Sequence, residues 1–222
     1  MDILCKGFIV GDCNCMHHWV MNRKVDKLFP TIVVRYENPQ YENNNSKFIE
    51  TVNNLVFQEG MFGVSQTADH HLHIRDEFKS LFEWIQDCLY DYKKFFDYDC
   101  DNLTPCLSWI NKSTKFSEHR YHSHPNSFLS AIYYISTNPT STYFESPNTS
   151  IFNGIVVNSK SKFNQNVWSS GTKSGDLIIF PSSLYHWTQP ENFDGERLTL
   201  SLNIMPTGVV NKNSLLEFKY VQ

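Results

Sequence analysis

Two stretches in the first half of the chain repeat apolar residues at helical intervals. In "SKFIETVNNLVFQE", residues 46–59, Phe48, Val52, Leu55 and Val56 fall on one face of a helix. "DEFKSLFEWIQDCLYDYKKFF" repeats the pattern over a longer span. Phe78, Leu81, Phe82, Ile85, Leu89, Tyr92 and Phe96 form one stripe there, and Asp76 is the expected N-cap. Upstream, "LFPTIVVRY" is β-branched enough to predict a strand, and "PQYENNN" after it predicts a loop.

From about Cys106 onward the helical period is lost, and short apolar runs alternate with turn residues. The runs are "CLSWIN", "FLSAIYYIS", "STYFES", "FNGIVVN", "QNVWSS", "DLIIFPS", "RLTLSLNIMP" and "LLEFKYV". Short strands at this spacing predict a sandwich or barrel, with the two upstream helices covering the outer face of one sheet. The expected class is mainly β with flanking helices (α+β).

One of these runs has an unusual polar face. In "ERLTLSLN", Arg197, Thr199, Ser201 and Asn203 alternate with Leu198, Leu200 and Leu202. Buried polar groups need partners, so a polar face on a central strand is costly unless it lines a site. Arg197 in particular requires an anion, and its planar fork suits bidentate binding of a carboxylate. Glu196 points the opposite way by alternation.

Composition narrows the classes. At 222 residues the chain can bury one sizeable core, and 41% hydrophobic with 15% aromatic residues is globular. With 19 Lys plus Arg against 23 Asp plus Glu and no basic cluster, nucleic acid is not an expected direct partner. No apolar run reaches the ~18 to 20 residues of a membrane span, and "MDILCKGFIV" lacks a basic leader region, so a cytoplasmic protein is expected. Six cysteines in a domain of this size without a signal peptide predict reduced thiols. "CNCMHH", with Cys13, Cys15, His17 and His18, lacks the usual zinc spacings. Residues 1–27 are accordingly expected to be an N-terminal extension, and 28–222 the domain.

The histidines carry the remaining chemistry. "HRYHSH" places His119, His122 and His124 within six positions. On a strand His122 and His124 share a face and His119 points away, a spacing that suits two imidazole ligands of one metal ion. An exposed strand end before Pro125 is the alternative. His186 follows in "SGDLIIFPSSLYHWTQP". His70, His71 and His73 are expected in a surface loop, and Asp176 at a turn.

Taken together, "LFPT", "SWIN", "HSHPNSFLSAIYYI", "GDLIIFPSSLYHWTQP" and "ERLTLSLN" resemble the 2-oxoglutarate (2OG) and Fe(II)-dependent oxygenases, in particular a bacterial and phage branch. The resemblance spans roughly Leu28 to Met205. It implies a double-stranded β-helix (a jelly roll) that holds Fe(II) with H-x-D/E and a distal histidine, and binds the 2OG 5-carboxylate through a basic residue about ten positions later. The matching residues are His122, His186 and Arg197, with Thr199 a second donor to that carboxylate. Asn111 and Tyr134 are further candidates to reach the cosubstrate, the alternative being an Asn at a strand end and a core Tyr with structural roles. His124 stands where an acid is usual, so the third ligand is either His124 or a carboxylate such as Glu145. Ala131 replaces a more usual glycine. The resemblance implies a dioxygenase that uses Fe(II), 2OG and O2 to hydroxylate an unidentified substrate. Two readings stay open beside it: a cupin-like metal enzyme without 2OG, and a non-catalytic β-sandwich. The prime substrate and the oligomeric state, a homodimer included, are not fixed by the sequence.

Overall fold

The structure is a computed structural model that describes residues 24, 29–137, 141–148, 158–159, 161 and 164–220. "CNCMHH" lies outside the described residues, as do the extension except Lys24 and the predicted strand "FNGIVVN" except Asn158. The chain after Pro30 clusters as one compact unit, Thr31–Gln222.

Its elements are β1 (Val34–Glu37), α1 (Tyr41–Asn53), β2 (Phe57–Glu59), β3 (Val64–Thr67), α2 (Lys79–Phe96), β4 (Cys100–Ser113), β5 (Leu129–Ser136), β6 (Thr142–Glu145), β7 (Val167–Ser169), β8 (Asp176–Pro181), β9 (His186–Thr188), β10 (Arg197–Val210) and β11 (Phe218–Tyr220). Among the described residues, eight strands form a large antiparallel sheet in the order β1-β8-β5-β10-β4-β3-β2, with β11 pairing β10. A small sheet has the order β7-β6-β9. These are the two walls of a jelly roll.

Strand alternation divides the large sheet into two chemistries. On one face Leu198, Leu200, Leu202 and Ile204 of β10, with Ala131, Tyr133 and Ile135 of β5, pack into a core shared with Leu81, Phe82, Ile85 and Leu89 of α2. Full burial of each Leu, Ile or Phe among them contributes roughly 1.5–3 kcal/mol. The predicted covering of one outer face by the upstream helices is what the structure has. On the other face Ile132, Tyr134, Ile178 and Phe180 meet Phe144 of the small sheet. The polar side of β10 shares this inner face, in register with Asn111 and Trp109 of β4 (Thr199 with Asn111, Ser201 with Trp109).

Three local expectations need correction. The first helix runs Tyr41–Asn53, so "PQYENNN" is mostly helix rather than loop. Tyr41 anchors its start, donating to the Ile135 carbonyl at 3.0 Å and accepting from Asn45. At its other end Phe57 pairs with Thr67, and this strand pairing takes the segment given to the helix and leaves Val56 exposed. Asp76 does not cap α2. It opens a 3-10 turn, Asp76–Phe78, and the residue before the helix is Phe78, with no side-chain cap.

Candidate metal and cosubstrate site

Backbone pairing brings two distant histidines together. His122 and His186 form an isolated antiparallel bridge, His122 N–H donating to the His186 carbonyl (3.1 Å) and the reverse bond at 2.9 Å. His124 is fixed by its N–H to the Ser182 carbonyl, at the end of β8. Ring centroids lie 4.3 Å apart for His122 and His186, 5.1 Å for His122 and His124, and 5.3 Å for His124 and His186. One ring nitrogen from each lies within 4.8 Å of the others. The segment from Phe116 to Phe128 carries only that bridge and no regular strand, so the shared face of His122 and His124 comes from these two anchorages rather than from continuous strand alternation.

Hydrogen bonds orient two of the rings. His122 Nδ1 lies 2.6 Å from the Arg120 carbonyl and His186 Nδ1 3.0 Å from the Leu184 carbonyl. A carbonyl only accepts, so each Nδ1 carries the proton and each Nε2 keeps its lone pair, the arrangement common to metal-ligating histidines. Burial, followed by the charge of His122, pulls the pKa of His186 down to about 3 and that of His124 down to about 4, so both rings are neutral at pH 7. Convergent imidazoles, two of them oriented from behind, fit a divalent transition metal. Phe180 and Phe144 flank His186, and Trp109 lies beside His124, giving the cluster an apolar wall.

Glu145 does not join this group. Phe144 pairs with His186 across β6 and β9, and alternation turns Glu145 to the other face, where its carboxylate accepts a hydrogen bond from the exposed Tyr121.

Arg197 opens on the same cavity, a space of about 400 Å³ between the two sheets that the three histidines, Thr199, Ser201 and Asn111 also line. Arg197 is only 2% exposed. Its Nη2 donates to Thr142 Oγ1 at 3.4 Å, its Nε has no hydrogen-bond partner, and no carboxylate lies within ion-pair distance among the described residues. Desolvation lowers its pKa, opposed by Tyr134 and Glu191. A buried guanidinium, an orphaned N–H and the hydroxyl of Thr199 form a donor set suited to a carboxylate.

Asn111 lines the cavity with its carboxamide already engaged. Oδ1 accepts from Gln66 (3.0 Å) and Trp109 (3.1 Å), and Nδ2 donates to Ser201 Oγ (2.8 Å). Tyr134 is fully buried, its hydroxyl 2.7 Å from Thr142 Oγ1 and its ring centroid 5.5 Å from the Arg197 guanidinium carbon. Asp176 shapes its turn, accepting from the Lys173 N–H. His70 and His71 are exposed as expected, while His73 is held by Ser108 at 2.8 Å.

Sequence reasoning missed two residues. Thr142 accepts a hydrogen bond from Arg197, and alternation in "STYFES" places it on the face of Phe144, a signal that was present. His119 was expected to point away, yet it lines the cavity. With no strand there, the alternation argument does not hold.

Residues 107–203 match the family described as "Putative 2OG-Fe(II) oxygenase". The match runs from β4 into β10 and contains the three histidines and Arg197. The chain resembles the 2OG-Fe(II) oxygenases in sequence and in fold. This family uses Fe(II), 2OG and O2, and the match indicates a 2OG-dependent oxygenase. HygX from Streptomyces hygroscopicus, solved with nickel and 2-oxoglutarate bound, is similar with a TM-score of 0.58 and 16% identity over 86% of this chain and 92% of that one. An oxidoreductase of the 2OG-Fe(II) oxygenase family from Burkholderia pseudomallei has a TM-score of 0.57 and 11% identity, covering 78% of this chain and 83% of that one. A prolyl-4-hydroxylase from Pseudomonas putida has a TM-score of 0.55 and 12% identity over 80% and 94%. At these identities the structural likeness establishes the jelly-roll fold. No curated protein matches the chain in sequence. No helix among the described residues is long and apolar enough to cross a membrane.

Proposed function

We propose that the chain is an Fe(II)- and 2OG-dependent dioxygenase in which His122, His124 and His186 hold the iron, and Arg197 with Thr199 holds the far carboxylate of 2OG. The observation that carries this reading is the coexistence, on one cavity, of three convergent imidazoles and a buried guanidinium with no carboxylate at ion-pair distance among the described residues. A cupin-like metal enzyme needs the first and has no general need of the second.

When bound, iron supplies the O2-activating redox chemistry that couples 2OG decarboxylation to oxidation of a substrate C–H bond. The chain's own residues perform the rest. The Arg120 and Leu184 carbonyls fix the tautomers and orientation of His122 and His186. Thr142 and Tyr134 position Arg197 for a carboxylate entering from the cavity. Phe144, Phe180 and Trp109 set an apolar wall against His186 and His124, which strengthens the electrostatic contacts on that side. The prime substrate would be an organic molecule, small or carried on a macromolecule, that brings a C–H bond to the cavity.

The test is anaerobic titration of the protein with Fe(II) and then 2OG, followed by visible absorption. A weak charge-transfer band that saturates at one 2OG per iron supports the reading. Iron binding without the band favours the cupin-like enzyme, and neither event favours a non-catalytic sandwich.

A further inference from the structure

His119 occupies a place that the assigned roles leave open. Its backbone is locked to the small sheet from both sides: its N–H donates to Thr188 Oγ1 at 2.8 Å and its carbonyl accepts from the Thr188 N–H at 3.0 Å. Thr188 is the register partner of Thr142, and Thr142 Oγ1 is the acceptor for Arg197. In the other direction the His119 ring lies 6.2 Å from the His122 ring. The residue thus stands on the cavity wall between the buried guanidinium and the histidine cluster. Its ring nitrogens have no hydrogen-bond partner among the described residues.

A backbone-locked, half-buried imidazole that lines a cavity, with no protein acceptor for its ring N–H among the described residues, leaves that donor available to a ligand. Among the described residues no carboxylate stands within ion-pair distance of it, which leaves the acceptor to a ligand. Resting on the oxygenase reading, we infer that His119 is a cosubstrate-binding residue, whose ring N–H donates a hydrogen bond to an oxygen of 2OG along its path from Arg197 to the histidine cluster. Being outside the cluster of three, it binds the organic ligand and not the metal. The two-way bond to Thr188 holds the donor in place before the ligand arrives, so little ordering is required on binding.

The test is calorimetric titration of 2OG into Ni(II)-loaded full-length protein, comparing wild type, His119→Phe and His119→Gln, with Ni(II) affinity and thermal melting measured in parallel. Loss of one hydrogen bond to a charged ligand is expected to raise the 2OG dissociation constant of His119→Phe by about ten- to a hundredfold, with Ni(II) affinity unchanged within about threefold. His119→Gln, which keeps an N–H donor, should recover part of the affinity and guards against a Phe variant that does not fold. Wild-type 2OG affinity in both folded variants overturns the inference, and so does loss of Ni(II) in His119→Phe, which would make His119 a ligand. If wild-type protein binds no 2OG, the oxygenase reading fails and takes the inference with it.

Discussion

His122 and His186 exchange both main-chain hydrogen bonds across an isolated bridge, and this places their rings 4.3 Å apart. The pairing belongs to the backbone, so it survives loss of either side chain. His122→Ala and His186→Ala are each expected to abolish Fe(II) or Ni(II) binding, while the melting temperature moves by only a few degrees, as for a change of about 1 kcal/mol. Equilibrium dialysis and thermal melting of both variants check this. Full stoichiometry in the double variant would remove the metal assignment.

The third ligand separates His124 from Glu145. His124→Ala is expected to weaken metal affinity by at least ~10-fold, whereas Glu145→Gln leaves it unchanged, because the Glu145 carboxylate is turned to the outer face of β6 and bound by Tyr121. Competition with a chelating dye measures both. The opposite ranking would point to a carboxylate triad assembled by another route.

Asn111 is expected to act on stability before binding. Its carboxamide joins Gln66, Trp109 and Ser201 across β3, β4 and β10, and Asn111→Leu strands those three groups on the inner face. The expected cost is about 1–3 kcal/mol in urea denaturation, the penalty of leaving buried polar groups unpaired. A neutral result would show that cavity water replaces the network.

The Arg197 side of this site was legible because its residues obey strand alternation. "ERLTLSLN" reads as one apolar and one polar face, and β10 puts Leu198, Leu200 and Leu202 against the helices and Arg197, Thr199 and Ser201 on the inner face. His119 shows where that logic stops. The segment before His122 is irregular, and its direction is set by hydrogen bonds to Thr188, a residue far away in sequence that no local pattern reveals. Partner choice decided the first helix in the same way. "NLVFQE" carries a helical period, but pairing of Phe57 with Thr67 outweighs it. The Asp76 cap failed for a local reason: the 3-10 turn it opens displaces the helix start to Lys79.

Cys88 gives a pH-based test of the α2 packing. Burial, reinforced by the charges of Asp87 and Asp91, pushes its thiol up to about 12. A raised thiol pKa keeps the sulfur protonated and unreactive at pH 8. Iodoacetamide at pH 8 should leave Cys88 unmodified in the folded protein and label it in urea, as read by peptide mass spectrometry. Rapid labelling without denaturant would contradict the buried position on α2.

On the proposed reading, Arg197 awaits the carboxylate of a guest. Titration of 2OG into Fe(II)-loaded protein under nitrogen, for wild type and Arg197→Ala, tests it most directly. The predicted result is intact iron binding, with 2OG binding in Arg197→Ala weakened by about 2–5 kcal/mol, the cost of removing one partner of a buried charge pair. Arg197→Lys should restore only part of it, since the bidentate fork is lost. Equal 2OG affinity in wild type and Arg197→Ala would contradict the account.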